Sequence, residues 1–281
     1  MGSSGVQLRV GGMEFKEGTY VIEELSPQRA RSLRIWNGIA AAFQLITGVA
    51  IAIVTKKNIT YPWYVNFPGN FTERNGTFGV PIPKQVASIS VGYLSAAFLL
   101  LSFLDHFLVI LPGVNAAYNK FIARNVNPFR WLEYSFSASL MHVEIAMLSG
   151  ITDIHILWSI FGLCWIVMVL GYIFEVENGN RRGKSKNWFS YWIAFVPHMW
   201  NWAIILCYFF TIVRRGSPPA FVWAIIFVLF ILDATFAVIF GLQWAEVGKF
   251  KDYVFGEYGF IILSFTAKQL LAWINFGGGN R

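Results

Sequence analysis

The chain has 281 residues, of which 56% are hydrophobic and only 13% charged. Soluble domains carry roughly a quarter charged residues, so the composition excludes an ordinary soluble fold and points to a chain immersed in lipid. The formal net charge of +7 does not read as a nucleic-acid patch, because the basic residues sit in short segments between apolar runs.

Residues 1–32 are polar, lack the apolar core of a signal peptide and read as a cytoplasmic N-terminal segment. Seven apolar stretches follow, each near the ~20 residues a helix needs to cross a hydrocarbon core. They are Leu33–Val54, Val86–Leu111, Phe129–Ser149, Ile151–Phe174, Trp188–Val213, Ala220–Ala245 and Tyr258–Asn275. Breakers such as Pro112-Gly113, Asn127-Pro128 and Pro218-Pro219 separate most of them. Residues 33–276 therefore read as one all-α integral membrane domain, a seven-transmembrane-helix bundle, with an external tail at 277–281. The long connection 56–84 alternates aromatic and β-branched residues around Arg74-Asn75-Gly76-Thr77, which predicts a β-hairpin on the membrane surface. Cys164 and Cys207 fall inside apolar stretches and read as packing residues.

Orientation follows from the basic residues. Fourteen lie in the N-terminal segment and the loops after the second, fourth and sixth stretches, with Arg130 counted among the loop cations; seven lie on the other side. This bias predicts a cytoplasmic N-terminus and an extracellular C-terminus. The same orientation places three sequons outside, at Asn58, Asn70 and Asn75, where they are either glycan acceptors or chance occurrences.

Ionisable residues at membrane depth are costly and point to function. Lys268 lies about 10 residues into the seventh stretch, near the bilayer midplane. Such a lysine pairs with a carboxylate or gives up its proton, and a desolvated neutral amine condenses with aldehydes. A buried Lys–Glu pair that only fixes packing is the plain alternative. Glu133 and Glu144, 11 residues apart in the third stretch, share a face about three turns apart. Depth alone leaves both as partners for Lys268, with a slight lean toward Glu133. Ser137 lies one turn beyond Glu133, and Ser264 one turn before Lys268. Asp105, His106 and Gln44 cluster toward the cytoplasmic half as a possible polar network; His142, His198 and Asp233 are further buried polar residues without an obvious partner, and Asp153 and His155 read as solvated. No phosphate loop, zinc-ligand spacing or nucleophile elbow suggests an enzyme.

Two segments carry a resemblance. Asn127-Pro128-Phe129-Arg130-Trp131-Leu132-Glu133-Tyr134-Ser135-Phe136-Ser137 is similar to the FRWxEYSxS signature of heliorhodopsins, and Leu263-Ser264-Phe265-Thr266-Ala267-Lys268 followed by Leu271-Ala272-Trp273 to their LSxxAK…LAW signature. Leu104-Asp105-His106-Phe107 fits as well, and the likeness extends to the inverted topology and the long first external loop. The resemblance implies all-trans retinal on Lys268 as a protonated Schiff base, Glu133 as counterion, Ser137 and Ser264 tuning the pair, and Trp273 among the cofactor-binding residues. It also implies His106 in a proton-accepting cavity, a homodimer among membrane lipid, a slow signalling photocycle without ion pumping, and a signalling partner on the cytoplasmic side. Gln44 departs from the family's second cavity histidine, and Glu144 and Asp233 stand where it is usually apolar. Three readings follow: a light sensor, a light-gated proton channel or transporter using Glu133, Glu144 and Asp233 as a relay, or an unlit receptor or transporter with a structural Lys268–Glu133 pair.

Overall fold

Apolar runs in this chain become helices whose ends are set by proline, asparagine and aspartate. The computed structural model describes residues 14–16, 19–21, 24–69 and 79–279. Short strands β1 (Glu14–Lys16) and β2 (Thr19–Val21) form an antiparallel pair, and α1 (Pro27–Val54) follows. Strands β3 (Tyr61–Gly69) and β4 (Gly79–Ile89) pair antiparallel, ahead of α2 (Val91–Ile110), α3 (Pro112–Ala123), α4 (Pro128–Leu148), α5 (Ile154–Asn178), α6 (Phe189–Arg215), α7 (Ala220–Trp244) and α8 (Tyr253–Gly279). Proline opens α1, α3 and α4, where its missing N–H is unneeded. Asn127 caps α4 by accepting from the Arg130 N–H, and Asp153 caps α5 by accepting from the His155 N–H.

Six of these helices, α1, α2 and α5 through α8, are long and apolar enough to cross a membrane. The expected third span, α4, is a 21-residue helix but falls short on hydropathy, because it carries Arg130, Glu133, Glu144 and several serines. Most of its residues are buried among neighbouring helices, so it has little need of an apolar coat facing lipid. The expected second span is corrected at its start: residues 86–89 belong to β4 and the helix begins at Val91. Pro83 favours an extended backbone here, where it pairs with Asn66 of β3. α3 replaces an expected loop and buries Tyr118 and Ile122.

The β3–β4 hairpin is fastened to the α4–α5 connection. The Tyr64 N–H donates to the Thr152 carbonyl at 2.9 Å, and the Asn66 amide donates to the Asp153 carboxylate. Asp153 is thus a structural cap, not simply a solvated acid. Asn58 is exposed; Asn70, Asn75 and the expected Asn-Gly turn lie outside the described residues. Cys164 is buried as expected, whereas Cys207 faces outward.

The apolar interior forms two clusters. One, toward the hairpin end, includes Phe98, Met147, Trp202 and Leu271. The other, toward the opposite end, includes Leu33, Trp131, Phe174 and Trp244. Along α2, α4 and α8 the buried residues between the clusters include polar ones: Ser102 and His106, Glu133 and Ser137, Ser264. The candidate site occupies this layer.

Candidate functional site

Lys268 lies mid-way along α8 and is 2% exposed. Its Nζ donates to Ser264 Oγ at 2.6 Å and stands 3.2 and 3.4 Å from the two Glu133 carboxylate oxygens. Ser264 precedes it by one turn, which is why it reaches the same nitrogen. The Ser102 hydroxyl, from α2, donates to Glu133 Oε1, the carboxylate oxygen nearer the lysine nitrogen. The Tyr134 ring completes the cradle, its centroid 5.0 Å from Nζ. Ser137, one turn along α4 from Glu133, is fully buried, and its hydroxyl has no hydrogen-bond partner among the described residues.

Toward the end opposite the hairpin, Asp105, His106 and Glu133 line one small cavity together with Asn37, Tyr118, Asn127, Arg130 and Glu257. His106 Nδ1 is 2.7 Å from Asn37 Oδ1, so α1 contributes through Asn37. Gln44, also on α1, is fully buried but accepts from Gln269 at 3.3 Å instead of joining the His106 cavity. Trp273, placed at the cofactor by its motif, is 46% exposed and donates to Gln269 on the outer face of α8. Five residues past Lys268 turn a side chain about 140° around the helix, away from the cradle.

The further acids fall into separate groups. Glu144 is fully buried and contacts Ser95 Oγ at 2.8 and 2.9 Å, with Asn275 donating to the same serine. Asp233 sits between His142, His198 and Trp202, in the wall of a cavity also lined by Lys268, Tyr134, Met141 and Phe236. Among the described residues, no hydrogen bond joins Glu133 to Glu144 or Asp233.

Sequence reasoning missed a third network. Arg130, read as a loop cation, is 6% exposed inside α4 and pairs with two buried carboxylates, Glu175 of α5 and Glu257 of α8. Its guanidinium also stacks over Phe260 and Trp131, 4.0 and 4.6 Å from their centroids. Asn127, Trp131 and Tyr253 add donors to Glu175. The available signal was the presence of acids at the ends of two apolar runs on the same side as Arg130.

A lysine bonded to a carboxylate and a serine, opening on an aromatic cavity, fits an aldehyde chromophore held at its nitrogen. The heliorhodopsin family pattern matches residues 33–279. The chain belongs to the heliorhodopsin family. This heliorhodopsin is thereby a light-responsive retinal protein set in a membrane by several helices. No curated protein matches it by sequence. Its fold is similar to that of a light-driven proton pump from Leptosphaeria maculans, with a TM-score of 0.60 and 14% identity over 92% of this chain and 99% of that one. Xanthorhodopsin, described as a light-driven ion pump with dual chromophore, gives a TM-score of 0.61 at 12% identity, covering 90% and 96%. A thermophilic rhodopsin gives 0.61 at 14%, covering 91% and 95%. At such identities the likeness is one of fold.

Proposed function

We propose that this heliorhodopsin is a light sensor, not an enzyme or an ion pump, that holds all-trans retinal as a Schiff base on Lys268 Nζ. The observation that carries this reading is the buried Lys268 nitrogen, bonded to Ser264 and paired with Glu133, at the edge of an aromatic cavity. Retinal supplies light absorption and isomerisation. The residues of the chain do the rest. Glu133 balances the cation; Ser102 and Ser264 fix the carboxylate and nitrogen; Tyr134, Trp202 and Phe236 keep water from the pair. A change in this ion pair biases a slow conformational switch read at the end of the bundle opposite the hairpin. In this reading α4 crosses the membrane as a seventh span, the N-terminus is cytoplasmic, and the chain works as a homodimer with a cytoplasmic partner.

Proton conduction through Glu133, Glu144 and Asp233 has less support, since these acids belong to three separate hydrogen-bonded groups. Purified protein mixed with all-trans retinal should become coloured, and Lys268→Ala should stay colourless while folding. Light-evoked current in voltage-clamped cells should be absent. A coloured Lys268→Ala variant defeats the assignment, and a robust photocurrent defeats the sensor reading.

A further inference from the structure

The cavity that opens at Lys268 has a second charged group in its wall. Three side chains converge on Asp233 Oδ2: Trp202 Nε1 at 2.8 Å, His142 Nε2 at 3.3 Å and His198 Nδ1 at 3.5 Å. They come from α4 and α6, and Asp233, on α7, lines both the Lys268 cavity and a neighbouring one beside Gly171 and Phe195.

Hydrogen-bond geometry counts the protons here. His142 Nδ1 is 2.9 Å from the Ala138 carbonyl, which can only accept, and 3.5 Å from Cys164 Sγ; the shorter contact puts a hydrogen on Nδ1. In a neutral ring Nε2 is then a bare acceptor, and it would face a carboxylate oxygen with no hydrogen between them. A proton must therefore sit between His142 and Asp233, on one or the other, and the pair as a whole is neutral. Trp202 is an obligate donor and adds no charge. His198 is the remaining imidazole on the same oxygen, largely buried at 14% side-chain exposure. An imidazole is the side chain whose charge changes most readily near neutral pH, and a further proton on His198 would make the cluster positive. The other titratable groups facing this region are Tyr134 and Arg130 from α4, Cys164 from α5, Tyr191 from α6 and Lys268 from α8.

We propose that His142, Asp233 and His198 form a proton-binding site in the wall of the chromophore cavity, and that its occupancy sets the colour of the pigment. This rests on the retinal reading above. Excitation moves positive charge away from the Lys268 nitrogen, toward the parts of the cavity remote from Glu133. Positive charge gained there raises the excited state and shifts absorption to shorter wavelength. Protonating Glu133, beside the nitrogen, does the opposite. The two sites thus write opposite signs into the spectrum.

The experiment measures absorption maxima of retinal-loaded protein from about pH 8 to about pH 5, the range in which an imidazole titrates. Acidification of the unmodified protein should shift the maximum to shorter wavelength, and His198→Gln and Asp233→Asn should each abolish that shift. A parallel titration follows the side-chain nitrogens of the retinal-free protein by NMR, where the chain has only 4 histidines to assign. His198 should titrate, and Asp233→Asn should move its midpoint. A pigment whose maximum moves only to longer wavelength, or moves equally in His198→Gln, overturns the proposal and leaves the retinal reading standing. A chain that takes up no retinal defeats that reading and the colour assignment with it; the nitrogen signals then decide the proton site alone, and a His198 that never titrates overturns it.

Discussion

Replacing Arg130 by methionine tests whether the network missed by sequence reasoning is held by charge. Arg130, Glu175 and Glu257 are 6%, 0% and 1% exposed, so water cannot solvate a carboxylate that loses its cation. The two acids are not equally supported. Glu175 keeps donors from Asn127 N–H at 2.9 Å, Trp131 Nε1 at 2.7 Å and Tyr253 at 3.0 Å. Among the described residues, Glu257 keeps only the Asn127 amide at 2.6 Å on one oxygen. The uncompensated charge therefore falls mainly on Glu257. Its attraction to Arg130 at 3.2 Å is about 5 kcal/mol at an effective dielectric of about 20. Breaking a buried pair from one side costs about 3–5 kcal/mol, which is the expected loss for Arg130→Met.

The assay is equilibrium unfolding in mixed micelles of increasing sodium dodecyl sulfate, followed by tryptophan fluorescence. The decisive comparison is Arg130→Met with and without Glu257→Gln. Glutamine retains an acceptor for Asn127 and removes the stranded charge, so the double variant should recover more than half of the loss. If it is no more stable than the single variant, the charge argument is refuted. The loss then belongs to the packing of the guanidinium on Phe260 and Trp131.

Three further outcomes are expected. Glu133→Gln should shift absorption strongly to the red or leave an ultraviolet-absorbing pigment, while Glu144→Gln keeps the original colour; the reverse pattern in a spectrophotometer would reassign the counterion. At Glu246, between α7 and α8, partial burial pushes the carboxyl up, but bonds from Lys186 and the Gly183 N–H outweigh it and hold the value below the ordinary one. Its stabilisation is thus full above the usual carboxylate range and lost as pH falls through the lowered value; thermal midpoints of Glu246→Gln should show a flatter acid limb, and identical limbs would remove this contribution. A tag after Arg281 should react with an impermeant reagent on intact cells, and labelling only after permeabilisation would invert the topology.

How much of this was legible in the sequence depended on whether a relation runs along one helix or between several. Lys268 with Ser264 needs only the helical repeat, and the depth of Lys268 needs only the length of an apolar run. Ser102 on Glu133 and Asn37 on His106 depend on the axial register of α2 and α1 against their neighbours, which no periodicity in one chain reports. Arg130 was read as a loop cation because it sits near the start of its run; burial there comes from Glu175 and Glu257 on two other helices. Trp273 shows a different failure: a motif gives nearness in sequence but not a shared helix face. Hydropathy likewise carried the second span into residues 86–89, since a β-strand and a helix end can be equally apolar.

The Glu133 and Glu144 environments show how one structural unit yields two chemical states. α2 meets α4 through two serine–glutamate contacts, Ser102 with Glu133 and Ser95 with Glu144. At Glu133 the nearby Lys268 nitrogen supplies a cation, so a carboxylate is stable there. At Glu144 no arginine, lysine or histidine of the described residues lies within ion-pair distance, and exposure is zero. An ionised group left so would bear a desolvation cost of several kcal/mol. The hydrogen bonds point the same way. Both Glu144 oxygens lie within 2.9 Å of Ser95 Oγ, yet the serine has a single hydrogen to give. A carboxylic acid O–H supplies the second, with the serine oxygen accepting. Glu144 is then neutral beside a serine already fixed by Asn275, and glutamine reproduces its size and charge. That is why position 144 should tolerate glutamine with colour intact, whereas the same change at 133 strips the cation of its partner.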